Sequence, residues 1–289
     1  MMAVRRRIAS TPTRSEHSEP DAADAVLDPH RLERYSRHIL LPEIDVAGQQ
    51  RLSRASIFIV GAGGLGSPAA MYLASSGVGH LIINDDDAVD LGNLQRQILH
   101  GTADIGRLKV ESARDRLRAL NPEVRVTALD KRLDGKELER EARGAQVVLD
   151  CSDNFPTRYA LNAACVRARV PLVWGAAIRM QGQITTFDHR RTDSPCLACF
   201  YPDQPEADGG GCAASGVLAP AAGIVGCMMA AEALKLVVGF GDTLCGRVLL
   251  LDIAAMQPRH VRLTRDPACP VCGPQAGTCG SSAVSGNRL

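Results

Sequence analysis

The sequence predicts an α/β fold: a doubly wound, mostly parallel sheet extended by antiparallel strands. Three observations predict it. Short apolar runs recur, each stopped by Gly or an acid. Segments of helical spacing separate them. After Gly175 the alternation gives way to a different strand pattern.

Taken in order, Ser56-Ile57-Phe58-Ile59-Val60 is continuously apolar after its first residue and ends at Gly61, as a buried parallel strand does. A helix from about Leu65 to Ser76, ended by Gly77, should follow. His80–Asn84 is the second strand. Val110, Ala113, Leu117 and Leu120 give Lys109–Leu120 one apolar helical face, stopped by Asn121-Pro122. Val124–Leu129 and Gln146–Asp150 are the third and fourth strands, on either side of a polar helix at Gly135–Arg143. A helix at Thr157–Ala168 and a strand at Pro171–Trp174 complete the alternating part. Gln181–Phe187 and Arg247–Ile253 read as antiparallel additions, and residues 188–216 as a loop-rich insertion.

The run from Ala213 to Ala231 carries no charge and approaches the roughly 20 residues of a membrane span. Its Ala/Gly content, Pro220, and the Glu232 and Lys235 that follow favour a buried core helix, so no membrane partner is expected. Residues 1–30 open with Arg5-Arg6-Arg7 and continue polar, without the apolar stretch of a secretory signal. They read as a disordered tail, and 274–289, polar and Gly/Ser-rich, as a flexible one. The domain is then 31–273, with a first half to about 175 and a second half at 176–273.

A net charge of +1 over 289 residues and 3% aromatics leave neither the basic excess nor the stacking platforms of a nucleic-acid binder. Ten cysteines without a secretory signal point to the cytoplasm, where patterned thiols serve metals or thiol chemistry rather than disulfides.

Gly61-Ala62-Gly63-Gly64-Leu65-Gly66 follows a strand and opens a helix. Gly61, Gly63, Gly64 and Gly66 let the backbone turn and approach phosphates at a helix N-terminus. Asp85 ends the next strand, near the roughly 20-residue distance at which a ribose-hydroxyl acceptor follows such a loop. This much also suits an NAD-binding redox protein. Two further cations argue for a triphosphate instead: Arg96, within Asn93-Leu94-Gln95-Arg96-Gln97, and Lys109, both expected at the carboxyl edge of the sheet. Asp153, just past the fourth strand, is placed either to hold Mg²⁺ on phosphates or to cap a loop.

Cys196-Leu197-Ala198-Cys199 and Cys269-Pro270-Val271-Cys272 are paired knuckles. Four thiolates make a closed tetrahedral zinc site, and neither pair opens a helix after a strand as a redox motif would. Cys212 follows three glycines and is either a thiol available to a partner or an ordinary loop cysteine.

Together these motifs, with Arg34-Tyr35-Ser36-Arg37, Cys151-Ser152-Asp153-Asn154, Gly175-Ala176-Ala177 and Gly182-Gln183, resemble the ThiF/MoeB/HesA family of ubiquitin-activating-enzyme-like adenylyltransferases from about Arg34 to Gly273. The resemblance implies a Rossmann-like half that binds ATP and Mg²⁺, and adenylation of the C-terminal Gly-Gly carboxylate of a ubiquitin-like sulfur carrier. By position it implies Asp85 on the ribose, Asn93, Arg96 and Lys109 on the phosphates, and Asp153 on Mg²⁺. Zinc would sit on Cys196, Cys199, Cys269 and Cys272. Arg37 would reach the neighbouring subunit's site in a homodimer. Gly175-Ala176-Ala177-Ile178-Arg179-Met180 leans toward the molybdenum cofactor branch. Asp85-Asp86-Asp87, Tyr201-Pro202-Asp203 and the position of Cys212 lean toward the thiamine branch. With the chain ending soon after the second knuckle, the sulfur donor is expected to be a separate protein.

Overall fold

The computed structural model describes residues 27–202 and 215–274. Three short helices lead in: α1 (Pro29–Arg34), α2 (Ser36–Ile39) and α3 (Asp45–Arg54). The alternating part is β1 (Ser56–Val60), α4 (Gly66–Ser75), β2 (His80–Asn84), α5 (Lys109–Leu120), β3 (Arg125–Leu129), α6 (Gly135–Arg143), β4 (Val147–Asp150), α7 (Phe155–Ala168) and β5 (Leu172–Ile178). Then come β6 (Gln181–Phe187), a one-turn helix α8 (Leu197–Phe200), the long α9 (Ala219–Val238), β7 (Arg247–Asp252) and β8 (Gln257–Arg262).

All eight strands form one sheet in the order β3-β2-β1-β4-β5-β6-β7-β8. It is parallel from β3 to β5 and antiparallel from β5 to β8. The order reverses between β1 and β4, which places a crevice beyond their carboxyl ends, where ligands bind in doubly wound sheets. Side chains alternate as the pleat requires. Ile57 and Ile59 of β1 join the core under α4, α5 and α9, while Phe58 and Val60 join the one under α6 and α7.

Several expectations shift. The helices α1 to α3 were not anticipated, and α1 begins inside the segment assigned to the tail, with Asp28 capping the Arg31 amide at 2.8 Å. Strand β5 runs on to Ile178 instead of stopping at Trp174, because it pairs with β6 through Ile178 and Gln181 around a tight turn at Arg179, φ +54°. The buried core helix starts at Ala219 and runs to Val238 rather than spanning 213–231. Pro220 suits its first turn, and Gly239 ends it at φ +84°. It is long and apolar enough to cross a membrane by composition, but it packs against α4, β5 and β6. Glu232 is buried there and accepts from Thr186 Oγ1 and the Leu244 amide, each at 2.7 Å. The edge strand β8 was also missed. Cys212, residues 1–26 of the expected 1–30 tail and residues 275–289 of the expected 274–289 tail lie outside the described residues.

Candidate active site

A cleft of about 520 Å³ opens at the β1/β4 switch point. Its floor is the glycine loop. Gly61 adopts φ +98°, and a Cβ there would lie 2.6 Å from the Cys151 carbonyl oxygen. A Cβ on Gly66 would lie 1.9 Å from the Gly61 carbonyl oxygen, so the turn closes only with hydrogen at that position. Gly66 then opens α4, whose N-terminal end faces the cleft with the dipole polarity that favours phosphate.

Residue Ala62, inside this loop, is held on both sides, through the peptide before it and the peptide after it. Its amide donates to Asp85 Oδ2 at 2.7 Å. Its carbonyl accepts from His100 Nε2 at 3.0 Å. Asp85 also accepts the Asp87 amide, at 3.0 Å. Burial raises its carboxyl pKa, and the Lys109 charge and the two amides pull the other way.

Both cations reach the cleft. Lys109, at the start of α5, is buried, with its ammonium 2.7 Å from Asp87 Oδ2 and 3.7 Å from Asp85 Oδ1. Arg96 is held by Asn93 Oδ1 at 2.7 Å and the Gly92 carbonyl at 3.4 Å. Asn93 itself is not among the cleft-lining residues; it buttresses Arg96 from behind. Across the cleft, Asp153 sits on the loop after β4. It forms no ion pair among the described residues, and its one hydrogen-bond contact is Asn154 Nδ2 at 3.5 Å. Asn154 rather than Asp153 caps α7, accepting the Thr157 amide at 3.0 Å, which leaves the Asp153 carboxylate available to a cation on bound phosphates. Thus Gly61, Gly63, Gly64, Asp85, Arg96, Lys109 and Asp153 line one cleft. Arg37 is exposed on α2 and does not line it.

Sequence reasoning passed over three side chains here. Arg158 of α7 is buried, donates to the carbonyls of Ser152 (2.8 Å) and Gly175 (3.4 Å), and lies over the Trp174 ring at 5.1 Å. It staples the loop carrying Asp153 to β5. Asp150 is fully buried beneath that loop and accepts both the Ser152 amide (3.1 Å) and hydroxyl (2.6 Å), while burial raises its carboxyl pKa against the pull of Arg158. His100 is the third. His100 and Arg158 act through the carbonyls of Ala62 and Gly175, 38 and 17 residues away, and Asp150 through the burial that the fold imposes on it, so no local pattern marks them.

A second cluster lies apart from the cleft. The sulfurs of Cys196 and Cys199 are 4.0 Å apart, those of Cys196 and Cys269 3.7 Å, and those of Cys199 and Cys272 3.5 Å. All four fall within 4.8 Å of one another. Tetrahedral zinc with Zn–S bonds of about 2.3 Å needs sulfurs roughly 3.8 Å apart, so the donor set fits that ion. With four protein ligands no position is left open for substrate. The Arg265 guanidinium donates to the Cys272 carbonyl and, at 2.7 Å, to that of Thr192, tying the second knuckle to the loop before the first.

Fold and site together define an α/β nucleotide-binding protein with a four-cysteine knuckle. Comparison with known proteins narrows the class: the chain matches the ThiF family over residues 35–271 and belongs to it. It is 46% identical over 248 residues to the SAMP-activating enzyme E1 of Haloferax volcanii, covering 86% of this chain and 91% of that protein. It is 44% identical over 249 residues to the molybdopterin-synthase adenylyltransferase of Escherichia coli, covering 86% and 99%. It is 45% identical to the adenylyltransferase and sulfurtransferase MOCS3-1 of Zea mays, where the match takes 87% of this chain but 54% of the relative. Among solved structures, E. coli MccB with ATP superposes with a TM-score of 0.71 over 83% of this chain and 73% of that one, at 23% identity, a likeness of fold.

Proposed function

We propose that this protein uses ATP and Mg²⁺ to adenylate the C-terminal glycine carboxylate of a ubiquitin-like sulfur-carrier protein, activating it for thiocarboxylate formation. The observation that carries the reading is the convergence of Arg96, Lys109 and Asp153 on a glycine-loop cleft at the switch point of the sheet. The names of the ThiF-family relatives support adenylyl transfer as the reaction.

The carrier carboxylate is already an anion, so attack on the α-phosphate needs no general base. It expels pyrophosphate and leaves an acyl-adenylate, a far better acceptor for sulfur than a carboxylate. Negative charge moves toward the leaving pyrophosphate during the step. Arg96 and Lys109, already fixed at the cleft by Asn93 and Asp87, can stabilise it without reorganising. The glycine loop and the start of α4 orient the phosphates, and Asp85 meets the ribose. Asp153 would hold Mg²⁺, which supplies charge neutralisation on the phosphates.

Zinc on Cys196, Cys199, Cys269 and Cys272 would be structural. Arg37, exposed on α2, is assigned to the neighbouring site of a homodimer. The relatives named for molybdopterin synthase favour that branch over the thiamine one, with sulfur delivered by a separate donor protein. Incubating the protein with ATP, Mg²⁺ and carriers of each class, then weighing the carriers by mass spectrometry, tests the reading. Carrier-AMP with at least one carrier is expected; dinucleotide binding with no carrier-dependent pyrophosphate exchange would overturn it.

A further inference from the structure

Ala62 leads into Gly63 and Gly64, which line the cleft, and the peptides on its two sides are each held by a side chain. One is fixed by Asp85, whose proximity to the loop a sequence motif anticipates. The other is fixed by a residue that no motif assigns. His100 is buried, with Nε2 3.0 Å from the Ala62 carbonyl oxygen and Nδ1 2.9 Å from Ser112 Oγ. A carbonyl only accepts, so Nε2 carries the proton. Burial lowers the pKa of the ring, and the neutral imidazole accepts at Nδ1 from the Ser112 hydroxyl. Ser112 lies one turn along α5 from Lys109.

A single imidazole therefore joins the loop that contacts phosphates to the helix that presents the phosphate cation. Apart from it, the only other side-chain donor to the Ala62 carbonyl among the described residues is Ser67 Oγ, at a long 3.4 Å. Rotation of the Ala62–Gly63 peptide, whose carbonyl His100 holds, would re-aim the Gly63 amide, and an error of about 1 Å in such positioning is enough to slow chemistry.

We infer that His100 is a positioning residue that holds the Ala62 carbonyl, and with it the glycine loop, while Ser112 fixes the ring in the tautomer that donates from Nε2. It touches neither substrate nor Mg²⁺. The inference rests on the adenylation reading, which names the phosphates being positioned.

The two ring nitrogens can be tested separately. In His100→Gln the side-chain amide takes the place of Nε2 and keeps a donor on the Ala62 carbonyl. In His100→Asn the shorter amide takes the place of Nδ1, keeps Ser112, and frees that carbonyl. Both remove the ring, so both lose comparable packing. The measurements are ATP affinity by calorimetry, carrier-AMP formation in single turnover, and thermal midpoint. His100→Asn should lose roughly tenfold in ATP affinity or in adenylation rate, about what one neutral hydrogen bond is worth, and His100→Gln should stay within about threefold of wild type at a matching midpoint. Equal effects in the two variants, or losses that merely track the midpoint, would overturn the proposal. Should neither fold, Ser112→Ala decides: with the imidazole tautomer no longer fixed, which the Gln amide does not need, a weaker ATP affinity at near-native midpoint supports the positioning role, and an unchanged affinity sinks it. If wild type forms no carrier-AMP, the adenylation reading fails by itself, and ATP affinity still separates Asn from Gln at position 100.

Discussion

The Lys109 ammonium lies 2.7 Å from Asp87 Oδ2, and while the lysine side chain is 5% exposed its carboxylate partner is 69% exposed. The cation is thus buried at the cleft wall between a carboxylate that faces water and the largely buried Asp85, 3.7 Å away. An ion pair with an exposed carboxylate is worth little, so a phosphate of higher charge should displace Asp87 from Lys109 at small cost.

On the proposed reaction, negative charge moves toward the leaving pyrophosphate during transfer, so Lys109 and Arg96 should matter more in the transition state than in ground-state binding. Lys109→Ala and Arg96→Ala should each lower adenylate formation on the order of 10²-fold, with a smaller change in ATP affinity. Single-turnover kinetics beside a binding titration would check this, and unchanged turnover in both variants would dispose of the phosphate clamp.

The four-cysteine knuckle should hold structure rather than do chemistry. Cys269 is buried and 3.7 Å from Cys196 across the two pairs. Cys269→Ser is expected to release bound zinc. A loss of even ~2 kcal/mol would drop the thermal midpoint by roughly 4–8 °C in a domain of this size. Metal analysis and a melting curve are the measurements; a zinc-free protein that tolerates the change would refute the assignment.

His80 makes stability depend on pH. Its Nδ1 accepts from Arg125 at 2.9 Å, and its Nε2 contacts Thr127 Oγ1 at 2.9 Å. Burial, with the Arg125 charge second, lowers its pKa from 6.5 to about 4. The unfolded chain therefore binds more protons between those values. The contribution is complete above pH 6.5 and is lost as pH falls toward 4. His80→Gln should flatten the wild-type slope of stability over that window in urea titrations; an unaltered slope would contradict the assignment.

Arg37 tests the dimer. If it serves the neighbouring cleft, subunits carrying Arg37→Ala and subunits carrying Asp153→Ala should be inactive alone. Mixed, they regain about a quarter of wild-type activity, because half the dimers then contain one intact site of two. A fully active monomer in sedimentation and activity assays would rule out action in trans.

What the sequence determined by itself is the alternating framework and the set of chemical groups. Ser56–Val60, His80–Asn84, Lys109–Leu120 and Gly135–Arg143 lie where their patterns place them, because burial on both faces or on one helical stripe writes itself into local composition. The glycine loop, Arg96, Lys109, Asp153 and the two knuckles were legible for the same reason: their chemistry is carried by residue type and short spacing. Tertiary structure decided the rest. Strand β8, exposed along its whole length and containing Pro258, exists because β7 offers it an edge to pair with. Asp45–Arg54 is too polar to announce a helix, yet it packs Leu52 and Gln49 against the core. His100 acquires its role only when the chain brings the Ala62 loop to it, and Arg158 when β5 brings the Gly175 carbonyl and Trp174 ring beside it. A hydrogen bond between groups 17 or 38 residues apart leaves no local periodicity, so only the folded chain reveals it.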